Sequence, residues 1–288
     1  MFRKIRIIIA LVGIVQPSIH TMETPSNITI IGLGLIGGSM AKDLKQKDPA
    51  TIITACDTNT DSLEFALRNK LIDKAELNIP TAIQGANIII IGVPINHFES
   101  VLTEIKSDLT ENQIITDVCS VKGPIVEIAK QILKKNINQF VPGHPMAGSE
   151  KTGVENSVSD LFNSRKTILT PIEQPNAQAF QAVKQLWEKL GAIVKTMTPQ
   201  EHDSTVAAIS HMPHVVAFAL KDMFEREDHK EMRTCAGSGF ESMIRIANSP
   251  KPFWDNIFKA NKDAVLREIE LFKKQLDIET KKIIDMES

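Results

Sequence analysis

The chain has 288 residues, 42% of them hydrophobic and 24% charged, and its 33 basic and 35 acidic side chains leave a net charge of −2. That composition suits a folded globular protein of about two domains and excludes a disordered or fibrous chain. The balanced charge, the absence of tyrosine and the presence of only two tryptophans argue against a nucleic-acid binder that works through bulk charge or aromatic stacking.

Arg3, Lys4 and Arg6 precede an apolar run from Ile7 to Val15, the outline of an export signal. The run is too short to span a membrane, and no small-x-small cleavage site follows it. Met22 is an alternative start, so residues 1–26 are expected to be a dispensable extension. No other stretch is apolar enough for a membrane span, and no membrane partner is expected. Cys56, Cys119 and Cys235 are widely spaced and odd in number, which suits a reducing, cytoplasmic setting better than a disulfide framework or a cysteine zinc site.

From Asn27 onward, short runs rich in Ile and Val alternate with amphipathic helical segments. The runs are ITIIGLG (28–34), TIITACD (51–57), NIIIIGVP (87–94), QIITDVCS (113–120), QFVPGHP (139–145), TILTP (167–171) and GAIVKTM (191–197). Continuous apolar runs bounded by Gly, Pro or Asp are the pattern of parallel strands buried on both faces, and the helices between them include 97–109 and 124–135. The expected fold is an α/β Rossmann-type, doubly wound parallel sheet over 27–198. After residue 198 the pattern turns helical over 200–230, 237–248 and 252–285, giving an all-α domain over 199–288. Pro213 should start or kink a helix. Trp254, Ile257, Phe258, Val265, Ile269, Phe272 and Leu276 form one stripe, compatible with a core helix or with a second subunit.

The first strand ends in Gly32-Leu-Gly34-Leu35-Ile36-Gly37, a G-x-G-x-x-G that opens a helix, and Asp57 follows at the end of the second strand. Glycines there permit a tight turn and a close backbone approach to a pyrophosphate, which sits on the helix N-terminus; the acidic residue accepts from a ribose 2′-hydroxyl and repels a 2′-phosphate. The cofactor expected is therefore NAD rather than NADP. Ligands of open α/β sheets bind beyond the carboxyl ends of the strands. Val93, Pro94, Ser120 and His144 occupy such ends, so Ser120 and His144 should converge near the nicotinamide. Histidine is suited to take a proton from an alcohol as hydride leaves the same carbon. Cys119 has no base beside it in sequence and reads as packing.

In the helical part His211 and His214 are three residues apart, but no H-E-x-x-H accompanies them, and no metal is expected. Either could contact substrate or be a structural histidine. Arg245 interrupts an apolar helical stretch, where a guanidinium is costly unless it meets a carboxylate or phosphate; Glu241, one turn earlier, is the alternative partner.

GLGLIGGS (32–39), DVCSVK (117–122), GHPMAGSEKTGVENS (143–157), EHD…SHMPH (201–214) and GSGFESMIRIA (237–247) together resemble the prephenate/arogenate dehydrogenase family of tyrosine biosynthesis, from about Asn27 to residue 275. The resemblance implies an oxidoreductase that decarboxylates prephenate oxidatively to 4-hydroxyphenylpyruvate, with arogenate as the alternative substrate; a non-catalytic NAD sensor is the reading from another class. It implies that His144 accepts the proton of the ring hydroxyl and that Ser120 assists. Arg245 would hold a substrate carboxylate, with His214, His211 and Ser149 in the same pocket. A homodimer through the helical domain is implied as well. Many members carry aspartate three residues before the arginine where this chain has Ser242, which puts any ionic gate using that aspartate in doubt. The length leaves no room for an ACT or mutase domain.

Overall fold

The computed structural model describes residues 27–172, 176–226 and 229–286. The expectation of an export signal or a dispensable extension falls outside them.

Six strands form a parallel sheet in the order β3-β2-β1-β4-β5-β6. They are β1 Asn27–Ile31, β2 Ile52–Cys56, β3 Lys74–Glu76, β4 Ile88–Ile91, β5 Ile114–Asp117 and β6 Phe140–Val141. The helices α1 Leu35–Lys47, α2 Thr60–Arg68, α3 Ile79–Ala82, α4 Ile95–Asp108 and α5 Gly123–Leu133 connect them. The order reverses between β1 and β4, where a dinucleotide crevice lies in such sheets. β4 explains why the run read as buried on both faces: Ile88 and Ile90 pack in one core cluster, whereas Ile89 and Ile91 pack in the other.

One expectation needs correction. The run 139–145 is not one strand, because Pro142, which lacks a ladder N–H, separates β6 from β7 Gly143–Pro145. β7 leaves the parallel sheet and pairs antiparallel with β8 Lys166–Leu169, which in turn pairs in parallel with β9 Ile193–Thr196. This second sheet carries His144 opposite Ile168. The helix α6 Ala177–Lys189 brings Leu186 and Trp187 onto the first core cluster.

Thr198 caps α7 Pro199–Val206 through a capping box with Glu201. A π-helical turn over Ala207–His211 runs directly into α8 Met212–Glu225, with Pro213 in its first turn. α9 Lys230–Arg233, α10 Ser238–Ile244, α11 Lys251–Ala260 and α12 Lys262–Asp285 complete the helical part. The stripe expected on one helix is split at Asn261, between α11 and α12. Trp254, Ile257 and Val265 are buried at its start, whereas Leu276 is exposed on the far half of α12. Val121, from the loop after β5, packs with Phe218, Trp254 and Ile257 and so ties the sheet domain to the helices.

The most demanding polar element of the fold is an ion pair with both side chains fully buried, Lys122 with Asp117. The Lys122 ammonium also donates to the Gly143 carbonyl at 2.6 Å, while Asp117 accepts from the backbone N–H of Cys119 at 2.8 Å and of Gly143 at 3.1 Å. These bonds hold β7 against the end of β5. Removing one partner of such a pair leaves an uncompensated buried charge. Lys122→Met should therefore lose about 3–5 kcal/mol of stability, measured by denaturant unfolding at fixed protein concentration. A loss under about 0.5 kcal/mol, the scale of ordinary surface substitutions, would contradict the role given to this pair.

Candidate active site

The glycine turn at the sheet's switch point is built by contact rather than by side-chain chemistry. Gly32 takes φ +93°, and a Cβ there would lie 2.7 Å from the Gly92 carbonyl carbon at the end of β4. A Cβ on Gly37 would lie 2.5 Å from the Gly32 oxygen, so α1 packs on the turn only through glycine. Gly34 is different: its Cβ would meet nothing within 4 Å, and no side chain caps α1 there. Open space in front of uncapped N–H groups, with Leu35 and Ile36 opening the helix, fits a pyrophosphate. Asp57 is positioned beside it by the backbone N–H of Leu33 at 2.6 Å and of Asn59 at 2.9 Å. One carboxylate oxygen accepts each of them, which leaves lone pairs for a ribose hydroxyl. These residues therefore fit a dinucleotide. Val93 and Pro94 follow β4 and lead into α4, and the buried Cys119 thiol contacts the Val93 carbonyl at 3.8 Å. Burial pushes the Cys119 pKa up, as expected of packing rather than of a nucleophile. Ser120 is half-buried in the loop between β5 and α5.

His144 sits on β7 with little exposed surface. Its Nδ1 lies 2.8 Å from Nε2 of His202, and Nδ1 of His202 lies 2.7 Å from Oδ1 of Asp203. Asp203, on α7, is received by the first turn of the neighbouring domain: its oxygens accept the N–H groups of Lys122 at 2.7 Å and Gly123 at 2.8 Å. A Cβ on Gly123 would come within 2.9 Å of Oδ2, so glycine is what lets the carboxylate approach. Burial, reinforced by His202 and Lys122, holds the His144 pKa well below the ordinary histidine value. Burial also lowers the His202 pKa, against the opposing pull of Asp203.

Within the helical part the two histidines that the spacing put on one face both pack on Trp254, but they differ in burial. His211 turns inward, buried against Trp254, with Nδ1 at 3.2 Å from Asn261 Nδ2. Burial lowers its pKa to about 4. Asn261 also donates to the Asp203 carbonyl at 2.8 Å. The expectation that His211 lines a substrate pocket does not suit this placement, and it reads here as a positioning and packing residue. His214 stays half-exposed, donates through Nδ1 to the Ser210 carbonyl at 2.9 Å and stacks on Trp254 with ring centroids 3.5 Å apart.

Arg245, which follows α10, is exposed rather than enclosed, and its partner is not Glu241. It reaches to 3.8 Å from Glu150, in the loop that follows β7. Ser149 is exposed in the same loop, its hydroxyl accepting from the Lys151 N–H at 3.2 Å. Glu150 thereby links Arg245 to the loop that follows the strand carrying His144. Ser242 is exposed on α10. Sequence reasoning gave no individual role to Lys122, Asp117, His202, Asp203, Asn261 or Glu150, and read Trp254 only as part of an apolar stripe. The adjacent His202-Asp203 pair was visible in the sequence, but nothing local said which histidine it would face. Among the described residues no three His, Cys, Asp or Glu side chains cluster as metal ligands would.

Comparison with known proteins places this geometry. Residues 40–196 match a family model described as the prephenate dehydrogenase nucleotide-binding domain, and residues 198–287 match one described as its dimerization domain. The prephenate dehydrogenase of Bacillus subtilis is 34% identical over 88% of this chain and 69% of its own length. A cyclohexadienyl dehydrogenase of Zymomonas mobilis is 32% identical over 87% of this chain and 86% of its own. Among solved structures, prephenate dehydrogenase from Aquifex aeolicus in complex with hydroxyphenyl propionate and NAD⁺ superposes with a TM-score of 0.85 at 33% identity, covering 92% of each chain. Synechocystis arogenate dehydrogenase gives 0.76 at 29% identity, over 91% of this chain and 93% of that one. The chain belongs to the prephenate dehydrogenase family.

Proposed function

We infer that this chain catalyses the NAD-dependent oxidative decarboxylation of prephenate to 4-hydroxyphenylpyruvate, in tyrosine biosynthesis. It is an oxidoreductase whose cofactor is NAD. The observation that carries the reading is His144, a desolvated imidazole on the strand between the glycine turn's sheet and the helical domain, in a chain of this family.

In the mechanism, bound NAD⁺ supplies the hydride acceptor. His144 accepts the proton of the ring hydroxyl as the carbinol C–H bond breaks. The C–COO⁻ bond then cleaves, its electron pair enters the ring as CO₂ departs, and the proton returns to the phenolic oxygen. Aromatisation drives the step. Base catalysis of this kind contributes about 10²–10⁴-fold. Ser120 supports the hydroxyl hydrogen bond beside the nicotinamide. Arg245, exposed on the cleft, exchanges Glu150 for a substrate carboxylate, and His214 and Ser149 line the same side. Gly32, Gly34, Leu35, Ile36 and Gly37 cradle the pyrophosphate, Asp57 takes the ribose, and Val93 and Pro94 border the dinucleotide.

The chain pairs with a second copy through its helical domain. A groove lined by Val215, Val216, Ala219, Leu220, Met223, Ile269 and Phe272 runs between α8 and α12, and Leu271, Leu276 and Ile283 are exposed farther along α12. A large apolar surface of this kind marks an association site. Among the described residues no helix is long and apolar enough to cross a membrane, and all three cysteines are free. Free thiols and a biosynthetic role support a cytoplasmic setting.

Steady-state assays with prephenate and arogenate, each with NAD⁺ and NADP⁺, test the reading. Prephenate with NAD⁺ should give the highest kcat/KM; no reduced cofactor with either substrate would overturn it, and a preference for arogenate would favour the alternative. Because burial lowers the His144 pKa and the neutral ring is the active form, activity should persist as pH falls below 6.5 and drop only at the depressed pKa. An acid limb of kcat/KM above pH 6.5 would contradict a buried base. Arg245→Ala should raise the KM for prephenate about tenfold or more with a smaller change in kcat, and an unchanged KM would restrict Arg245 to its contact with Glu150.

A further inference from the structure

His202 and Asp203 do more than fill the joint between the domains. We propose that they are positioning residues that fix His144 as the tautomer protonated on Nδ1, with a bare Nε2 facing the cleft. This rests on the reading of His144 as the base and concerns how it is prepared.

The polarity of the chain of contacts starts from groups that can only donate. The N–H groups of Lys122 and Gly123 point at the two Asp203 oxygens, so that carboxyl group is an acceptor on both sides. Its contact with His202 must then carry the proton on His202 Nδ1. A neutral imidazole has one N–H, so His202 Nε2 is left as an acceptor. Burial of His202 favours that neutral form. The 2.8 Å contact next along the chain can be made only if His144 donates through Nδ1. His144 Nε2 makes no hydrogen bond with any described residue and is not among the sealed polar atoms left without a partner, so it is open to the cleft. A backbone feature of the sheet domain, the N-terminus of α5, thus dictates through two side chains of the helical domain which nitrogen of His144 can receive a proton.

The same chain has a use during turnover. When Nε2 takes the hydroxyl proton, His144 becomes a cation in a site that disfavours one, with the Lys122 ammonium nearby. The Nδ1–H of His144 then shares that charge with His202, whose other nitrogen faces the Asp203 carboxylate. As CO₂ leaves, the proton passes from Nε2 back to the phenolic oxygen, and the ring returns to its starting tautomer. No proton is gained or lost over the cycle.

The test is ¹⁵N NMR of the full-length protein with labelled histidine at pH 7.5, the His144 signals being assigned by their loss in His144→Asn. The wild type should show Nδ1 protonated and Nε2 unprotonated. His202→Phe keeps a ring but no acceptor, and it should abolish that fixed pattern. It should also lower kcat about 10²-fold while leaving the KM for NAD⁺ within twofold. His202→Gln, which returns an oxygen acceptor, should recover at least tenfold of that loss. A wild-type His144 protonated on Nε2 would overturn the proposal, and it does so even if His202→Phe fails to fold. A His202→Phe enzyme within threefold of wild-type kcat, alongside an inactive His144→Asn, would overturn the proposal while sparing the base assignment. An active His144→Asn would instead sink the base assignment itself.

Discussion

The structure turns on one carboxylate. Asp203 leaves the helical domain and docks on the first backbone N–H groups of α5, where Lys122 and Gly123 receive it. A helix N-terminus favours an anion there, and Gly123 leaves space for it. From this contact the His202–His144 chain runs back into the sheet domain, and Asn261 holds the Asp203 carbonyl from behind. The joint between the domains therefore combines this polar chain with a buried apolar cluster, where Val121 meets Trp254 and Phe218. A buried polar network that satisfies each donor rigidifies a site. Here it fixes the His144 ring through His202.

The second support lies under β7. Lys122 sends its backbone N–H to Asp203 and its ammonium to Asp117 and the Gly143 carbonyl, so one residue anchors both the relay and the strand that carries His144. A buried ion pair is a poor source of net stability, but removing one partner strands the other charge, so the pair ties β7 to the end of β5. Burial holds His144, His202, His211 and His214 toward the neutral form, and the Lys122 charge adds to this at His144 and His202.

Much of the α/β half was legible in the sequence because burial on both faces leaves continuous Ile-rich runs, as in β4, and because the glycine turn follows a strand and opens a helix. The run 139–145 was misleading, since its composition is that of one strand while Pro142 redirects the chain into a second sheet. In the helical half, the three-residue spacing of His211 and His214 suggested a shared face, and both rings pack on Trp254, but the spacing does not encode that His211 is buried and His214 half-exposed. Arg245 drew notice as a guanidinium in an apolar stretch, but it is exposed, and its partner is a long-range one, Glu150, and not the local Glu241. Lys122, His202 and Asp203 were passed over because each looks ordinary alone. Their meaning comes from contacts separated by 58 to 81 positions in the chain, which local periodicity does not encode.

The most direct test of the claim that His144 and His202 act as one unit is a double-mutant cycle on kcat, comparing wild type, His144→Asn, His202→Phe and the double variant under the same NAD⁺ and prephenate concentrations. Groups that act together are strongly non-additive. The double variant should be no slower than His144→Asn alone, within a factor of about two. Losses that multiply, so that the double variant falls further by the whole His202→Phe factor, would mean that His202 serves the enzyme independently of the base.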